Sequence, residues 1–162
     1  MIALDPGGTT GWSTYTAGQM IGPTGELEFY DEEWACGQLG PGPHHEELWD
    51  LLHFQRVESY FVVCESFEFR GGAAKVRDNL NLDSKEYIGV AKLYSQTEGV
   101  PLRFQTAAMG KGFITDSKIK KAMLWYPNQK HAMDATRHLL YALVNSHGRS
   151  DLVRQFWGPE PG

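Results

Sequence analysis

The sequence predicts one α/β domain in which a mixed sheet is flanked by helices. Its 162 residues fit a single core, since chains of about 100–200 residues usually form one domain. Strand-like segments occupy the first 36 residues, and helical patterns alternate with buried strands after residue 44. We therefore expect residues 1–157 to form one domain, with residues 158–162 as a frayed tail of glycine, proline and glutamate.

The first three strands are expected to form an antiparallel meander. Ile2–Leu4 is a short apolar run that is followed by Asp5 and then by the structure-breaking residues Pro6, Gly7 and Gly8. The second strand is predicted over Trp12–Thr16. Apolar and polar residues alternate over Glu26–Cys36, which predicts the third strand.

The rest of the chain alternates helices with strands. A helix is predicted from His44, because leucines at helical spacing follow two glutamates that favour a first turn. The continuous apolar run Tyr60–Cys64 is typical of a central strand, and Glu65 follows it directly. The remaining elements are predicted as a loop over 67–82, a helix over Ser84–Thr97, a strand over Leu102–Gln105, and helices over Asp116–Trp125 and His131–Ser146.

Composition excludes several classes of protein. Hydrophobic residues make up 41% and charged residues 22%, which is close to the globular average and unlike a disordered chain. No apolar run approaches the ~20 residues of a membrane span, and no signal-peptide pattern is present, so we expect a cytoplasmic protein without membrane contact. Residues 1–65 carry 11 acids and one base, and residues 66–162 carry 9 acids and 14 bases. This uneven distribution of charge could produce a basic face that binds a polyanion, or it could simply belong to an ordinary solvated surface.

Carboxylates occur where the predicted elements could converge. Asp5 and Glu65 each follow a strand, and His131 and Asp134 lie three residues apart at the start of the last helix, on one helical face. Such oxygen-rich ligands suit Mg²⁺ or Mn²⁺, which bind phosphate oxygens as well. Each residue also has a structural explanation, such as a turn cap for Asp5 or an ion pair between Glu65 and Arg70. The combination favours a metal site.

These segments resemble the RuvC-type Holliday junction resolvases of the RNase H-like superfamily. The resemblance rests on IALDPG with TTGW at residues 2–12, on VVCE at 62–65 and on HAMDA at 131–135, and it covers essentially the whole chain. It implies an RNase H-like fold and two divalent ions held by Asp5, Glu65, His131 and Asp134. It also implies a homodimer that cuts four-way or other branched DNA.

Weaker matches extend the resemblance to the DNA contacts. Gly110-Lys111-Gly112 followed by Lys118 resembles the family's segment with a catalytic lysine, and the longer spacing leaves Lys118, Lys120 or Lys121 open for that role. Phe67 or Phe69 could wedge into the junction centre or simply pack. A basic track for DNA is expected from Arg70, Lys75, Arg77, Lys111, Lys118, Lys120 and Lys121.

The resulting prediction is an endonuclease that hydrolyses phosphodiesters with two metal ions. Two alternatives remain open. The segment from Asp5 to Gly11 also resembles the first phosphate loop of the actin and hexokinase superfamily, which would make the chain an ATP-binding phosphotransferase-like domain. In the second alternative, the domain binds branched DNA without cutting it. His138, one turn beyond Asp134, could support the site or pack the helix, and Arg137 is expected to face phosphate or solvent. The apolar stripe Ile88, Ala91 and Tyr94 could form the dimer interface or cover the sheet.

Overall fold

The computed structural model describes residues 1–54, 61–66, 83–124 and 126–158. Their five strands are β1 (Ile2–Asp5), β2 (Thr10–Ile21), β3 (Leu27–Leu39), β4 (Val62–Glu65) and β5 (Leu102–Gln105). Their helices are α1 (His45–Phe54), α2 (Asp83–Glu98), α3 (Ala107–Phe113), α4 (Asp116–Lys121), α5 (Lys130–Ser146) and α6 (Asp151–Trp157).

The strands form one mixed sheet in the order β3-β2-β1-β4-β5. β1, β2 and β3 pair antiparallel, whereas β1, β4 and β5 run parallel. The predicted meander and the predicted central strand are therefore both present, and the expected RNase H-like mixed sheet is confirmed.

Helices cover both faces of the sheet, and the alternation along β1 shows how. Ile2 and Leu4 point to the core under α1 and α2, whereas Ala3 points to the core under α5. The same alternation recurs in β4, where Val62 and Cys64 face α1 and α2 while Val63 faces α5. Asp5 and Glu65 continue the Ala3 and Val63 series and so lie on the α5 side.

Gly11 allows the start of α5 to approach the sheet closely. A Cβ atom at this position would lie 2.0 Å from the carbonyl oxygen of His131 and 2.6 Å from the backbone nitrogen of Ala132. Only glycine leaves room for such an approach. The glycine of the Thr10-Gly11-Trp12 segment thereby sets how deeply the first turn of α5 sits on β2.

Several predicted elements differ from those observed. β2 extends well beyond Trp12–Thr16, because its hairpin with β3 continues past the strand pairing with β1. β3 begins at Leu27, one residue later than predicted, and continues three residues beyond Cys36, where Leu39 pairs with Thr10. The helix predicted over Asp116–Trp125 ends at Lys121. α3 and α6 were not predicted at all.

The interface predicted on α2 is wrong as placed. Ile88, Ala91 and Tyr94 are buried in the core between α2, α1 and the sheet. The phenol of Tyr94 also donates to the carbonyl of Leu52 on α1 (2.9 Å). The stripe thus covers the sheet and is unavailable to a second copy, so the homodimer stays a prediction without an assigned surface.

Five predicted DNA contacts lie outside the described residues. They are Phe67, Phe69, Arg70, Lys75 and Arg77. Within the described ranges, no helix is both long and apolar enough to span a membrane.

Candidate active site

The candidate site lies at the edge where β1 and β4 end. Because these strands are parallel neighbours with Leu4 opposite Cys64, the next residues, Asp5 and Glu65, emerge side by side on one face. That face is the one covered by α5, which carries His131 and Asp134 near its start. The topology therefore brings all four predicted ligands to one edge of the sheet.

Asp5 and His131 are in direct contact. The His131 ring donates from Nδ1 to Asp5 Oδ2 at 2.8 Å. The backbone N–H of His131 donates to the side chain of Gln38 on β3 (3.0 Å), which fixes the first turn of α5. Together with the close approach at Gly11, these bonds hold the helix start against the carboxyl end of β1.

The carboxyl group of Asp5 lies in a strongly acidic environment. Burial raises its pKa to about 6, the negative charges of Glu65 and Asp134 contribute in the same direction, and the hydrogen bond from His131 opposes them. The three carboxylates are thus close enough to interact electrostatically. A nearby cation would relieve this repulsion.

Asp134 is buried and is held by two bases. Lys111 Nζ lies 3.1 Å from Asp134 Oδ2, and the Arg137 guanidinium bonds to Oδ1. Arg137 also bonds to Asp116 and donates from Nε to the carbonyl of Ile114 (3.1 Å). The expectation that Arg137 faces solvent is therefore wrong, because the side chain is buried and bonds to Asp134, Asp116 and Ile114, while its contact with phosphate stays a prediction.

Glu65 is held by a histidine from the middle of α5. His138 donates from Nε2 to Glu65 Oε2 at 2.8 Å. Its other ring nitrogen, Nδ1, is hydrogen-bonded to the side-chain amide of Gln105, whose Oε1 lies 2.8 Å away. Gln105 is opposite Glu65 in the register of β4 and β5.

The donor set suits a divalent cation, since it comprises one imidazole and three carboxylates, and the negative charges of the carboxylates repel one another. In the part of the chain that the structure describes, no three or more His, Cys, Asp or Glu side chains are grouped closely enough to hold a metal ion. The four predicted ligands share one edge and one face, but each is hydrogen-bonded to another side chain.

The lysines predicted for catalysis and DNA binding have different surroundings. Lys118 Nζ donates to the carbonyl of Phe113 (3.1 Å) and lies over the rings of Phe113 and Trp157. Lys120 and Lys121 are exposed on α4. Lys111, which was predicted only as a DNA contact, is the one that reaches Asp134.

Sequence reasoning missed the supporting residues around the ligands. Arg137 lies three residues after Asp134, and this spacing on a helix is a usable signal for an ion pair. Gln105 gave no such signal, because its role depends on the pairing of β5 with β4 and on a histidine from another element.

Comparisons with solved structures identify the fold. RuvC from Thermus thermophilus in complex with a Holliday junction substrate matches with a TM-score of 0.57 and 16% identity, covering 91% of this chain and 96% of that one. The chain has the fold of RuvC. A second structure of Thermus thermophilus RuvC matches with a TM-score of 0.56 and 16% identity, covering 92% of this chain and 97% of that one.

The similarity to RuvC is visible in structure and not in sequence. No protein-family model matches the chain, and the search of curated proteins gives no match either. At 16% identity the similarity establishes the fold, so the activity has to be argued from the site.

Proposed function

We propose that this protein is a metal-dependent endonuclease that cuts four-way or other branched DNA. The observation that supports the proposal is that Glu65 and Asp134 lie within electrostatic reach of Asp5, and that His131 is hydrogen-bonded to Asp5, at one edge of a RuvC-like sheet. A RuvC of the same fold was solved with a Holliday junction substrate, which makes branched DNA the first substrate to test.

Asp5, Glu65, His131 and Asp134 are the residues that would hold the divalent ions, Mg²⁺ or Mn²⁺, two per site. The raised pKa of Asp5 supports this assignment, because it arises chiefly from burial and then from the negative charges of Glu65 and Asp134, and a bound cation would offset both. Bound divalent ions supply a water nucleophile and neutralise charge on the phosphate that is cut. Asp134 would have to exchange one of its basic partners for an ion, and exposed Lys111 is the partner that can leave more readily than buried Arg137.

Within this proposal, the residues of the chain orient the ligands and bind the phosphate. His131 fixes one oxygen of Asp5, and Gln38 fixes the backbone of His131. Lys111, once released from Asp134, is placed to contact the phosphate and to stabilise the charge that develops on it. Lys120 and Lys121 would bind the DNA backbone, which positions the substrate without reading its sequence.

The test is cleavage of labelled four-way junctions, flaps, forks, duplexes and single strands in Mg²⁺ and in Mn²⁺. Asp5→Asn should abolish cleavage while junction binding persists in a gel-shift assay, because one ligand charge is lost and the basic surface remains. Asp50→Asn on α1 is the matched control, since it removes the same charge from an exposed position and should cut at the wild-type rate.

The remaining outcomes separate the alternatives. Junction binding without cleavage in either metal would identify a non-catalytic binding module. ATP hydrolysis that depends on Asp5, with no nuclease activity, would identify a phosphotransferase-like domain. Wild-type cleavage by Asp5→Asn would refute the assigned site.

A further inference from the structure

His138 occupies the position from which the orientation of Glu65 is controlled. Its side chain is only 1% exposed, and its ring lies between the ends of β4 and β5. Nε2 reaches Glu65 on one side, and Nδ1 reaches Gln105 on the other. The ring thus links α5 to the ends of both strands.

Two hydrogen bonds and the packing of α3 hold the His138 ring in place. With both nitrogens hydrogen-bonded, rotation about either side-chain torsion breaks at least one bond. α3 also closes against the ring, because a Cβ on Gly110 would lie 3.2 Å from His138 Cε1 and Nδ1. Gly110 is therefore the residue that permits this packing.

The Glu65 side chain, in contrast, has three torsions and lies at the end of a strand, with 18% of its surface exposed. A donor fixed in place selects one orientation of the carboxylate. The bond uses Oε2 and does not consume Oε1 as a possible ion ligand. Protein groups that hydrogen-bond to metal-binding carboxylates typically contribute about 10–100-fold to metal affinity or activity.

We propose that His138, itself anchored by Gln105, is a positioning residue that holds the Glu65 carboxylate ready for a divalent ion. This inference rests on the proposed function, because it requires Glu65 to bind an ion. It assigns His138 no contact with substrate. A histidine that merely fills the core would support the fold equally well without a hydrogen bond to Glu65, and the experiment has to separate these roles.

Two substitutions separate them. His138→Gln retains an amide N–H at about the reach of Nε2 and can still donate to Glu65. His138→Asn keeps a similar polarity but is one methylene shorter, so its amide falls short of Glu65. Glu65→Ala gives the effect of losing the ligand itself. Thr136→Val is the matched control, since it removes a buried polar group of α5 whose hydroxyl bonds to the Ala132 carbonyl and to the Cys36 side chain rather than to a predicted ligand.

The readouts are the affinity for Mn²⁺ alone, measured by electron paramagnetic resonance without DNA, and the Mg²⁺ concentration that gives half-maximal cleavage. His138→Asn should weaken Mn²⁺ binding and raise the Mg²⁺ requirement by about 10–100-fold, whereas His138→Gln should recover most of the loss. Thr136→Val should match the wild type in both measurements, even where its thermal unfolding temperature is lower.

Each outcome decides between the roles. If His138→Asn binds Mn²⁺ as the wild type does while Glu65→Ala does not, the positioning role is refuted and the proposed function stands. If Glu65→Ala also binds Mn²⁺ normally, the assignment of Glu65 as a ligand fails as well. Should the His138 variants not fold, Gln105→Leu leaves the ring in place and removes its anchor, and unchanged Mn²⁺ affinity in that variant would equally overturn the inference.

Discussion

Replacing Gly11 by alanine tests whether α5 is seated on β2 as described. The new Cβ would lie 2.0 Å from the His131 carbonyl oxygen and 2.1 Å from the carbonyl carbon. Both atoms belong to the backbone, so no side-chain rotation relieves the overlap. Restoring a separation of about 3 Å requires the first turn of α5 to move by about 1 Å. The substitution therefore acts like the insertion of an extra methyl group into a well-packed core.

This displacement predicts two separate losses. Overpacking at the upper end of its usual range costs about 3 kcal/mol, which lowers the unfolding temperature by roughly 6–12 °C in a chain of this size. His131 and Asp134 move with the helix, and a misplacement of about 1 Å can reduce the rate by about 10²-fold.

The assay combines thermal unfolding with the rate of junction cleavage at saturating Mg²⁺. Gly89→Ala is the control, because a Cβ at that position of α2 meets nothing within 4 Å and alanine favours a helix by up to about 1 kcal/mol. Wild-type stability and wild-type cleavage in Gly11→Ala would show that the start of α5 does not lie where the structure places it.

Three further predictions concern the two lysines, the ion pairs of Arg149 and the oligomeric state. Lys111→Ala should reduce junction cleavage at least tenfold, whereas Lys118→Ala should chiefly lower the unfolding temperature; the reverse result would assign the catalytic lysine to Lys118. Arg149→Met should cost about 2 kcal/mol, because it removes the bonds of a buried guanidinium to Glu32 and Asp151, whose side chains are 22% and 45% exposed. Arg149 lowers the pKa of Asp151 from its ordinary value of 3.8. The stabilisation from this ion pair is therefore present above pH 3.8 and is lost as the pH falls below it. If the unfolding temperatures of wild type and variant stay apart in acid, the ion pair is not the origin of the difference. Sedimentation at micromolar concentration should give a homodimer, and a monomer that makes coordinated paired nicks would refute it.

Much of the fold could be predicted from local patterns. The apolar runs at β1 and β4 and the periodicity of α5 identify these elements, and their order then places Asp5, Glu65 and the start of α5 at one edge. α3 was hidden because Gly110 and Gly112 lower its helix propensity. Gly110 nevertheless suits this position, since a Cβ there would press on the His138 ring at 3.2 Å.

The contacts within the site could not be predicted in the same way. That Lys111 rather than Lys118 reaches Asp134 depends on where α3 packs against α5, which no periodicity encodes. The α2 stripe shows the same limit, because an apolar face predicts burial but not whether a sheet or a second subunit buries it.

Among the strands that the structure describes, β3 forms one long edge of the sheet, and its charge bears on how copies of the protein meet. Glu28, Asp31 and Glu33 are exposed along this strand of 13 residues. Two such edges brought together would oppose like charges along their length, which protects an open sheet against edge-to-edge aggregation. An association through β3 is therefore disfavoured at low salt, and a high salt concentration, which screens these exposed charges, should weaken the protection and promote association at this edge.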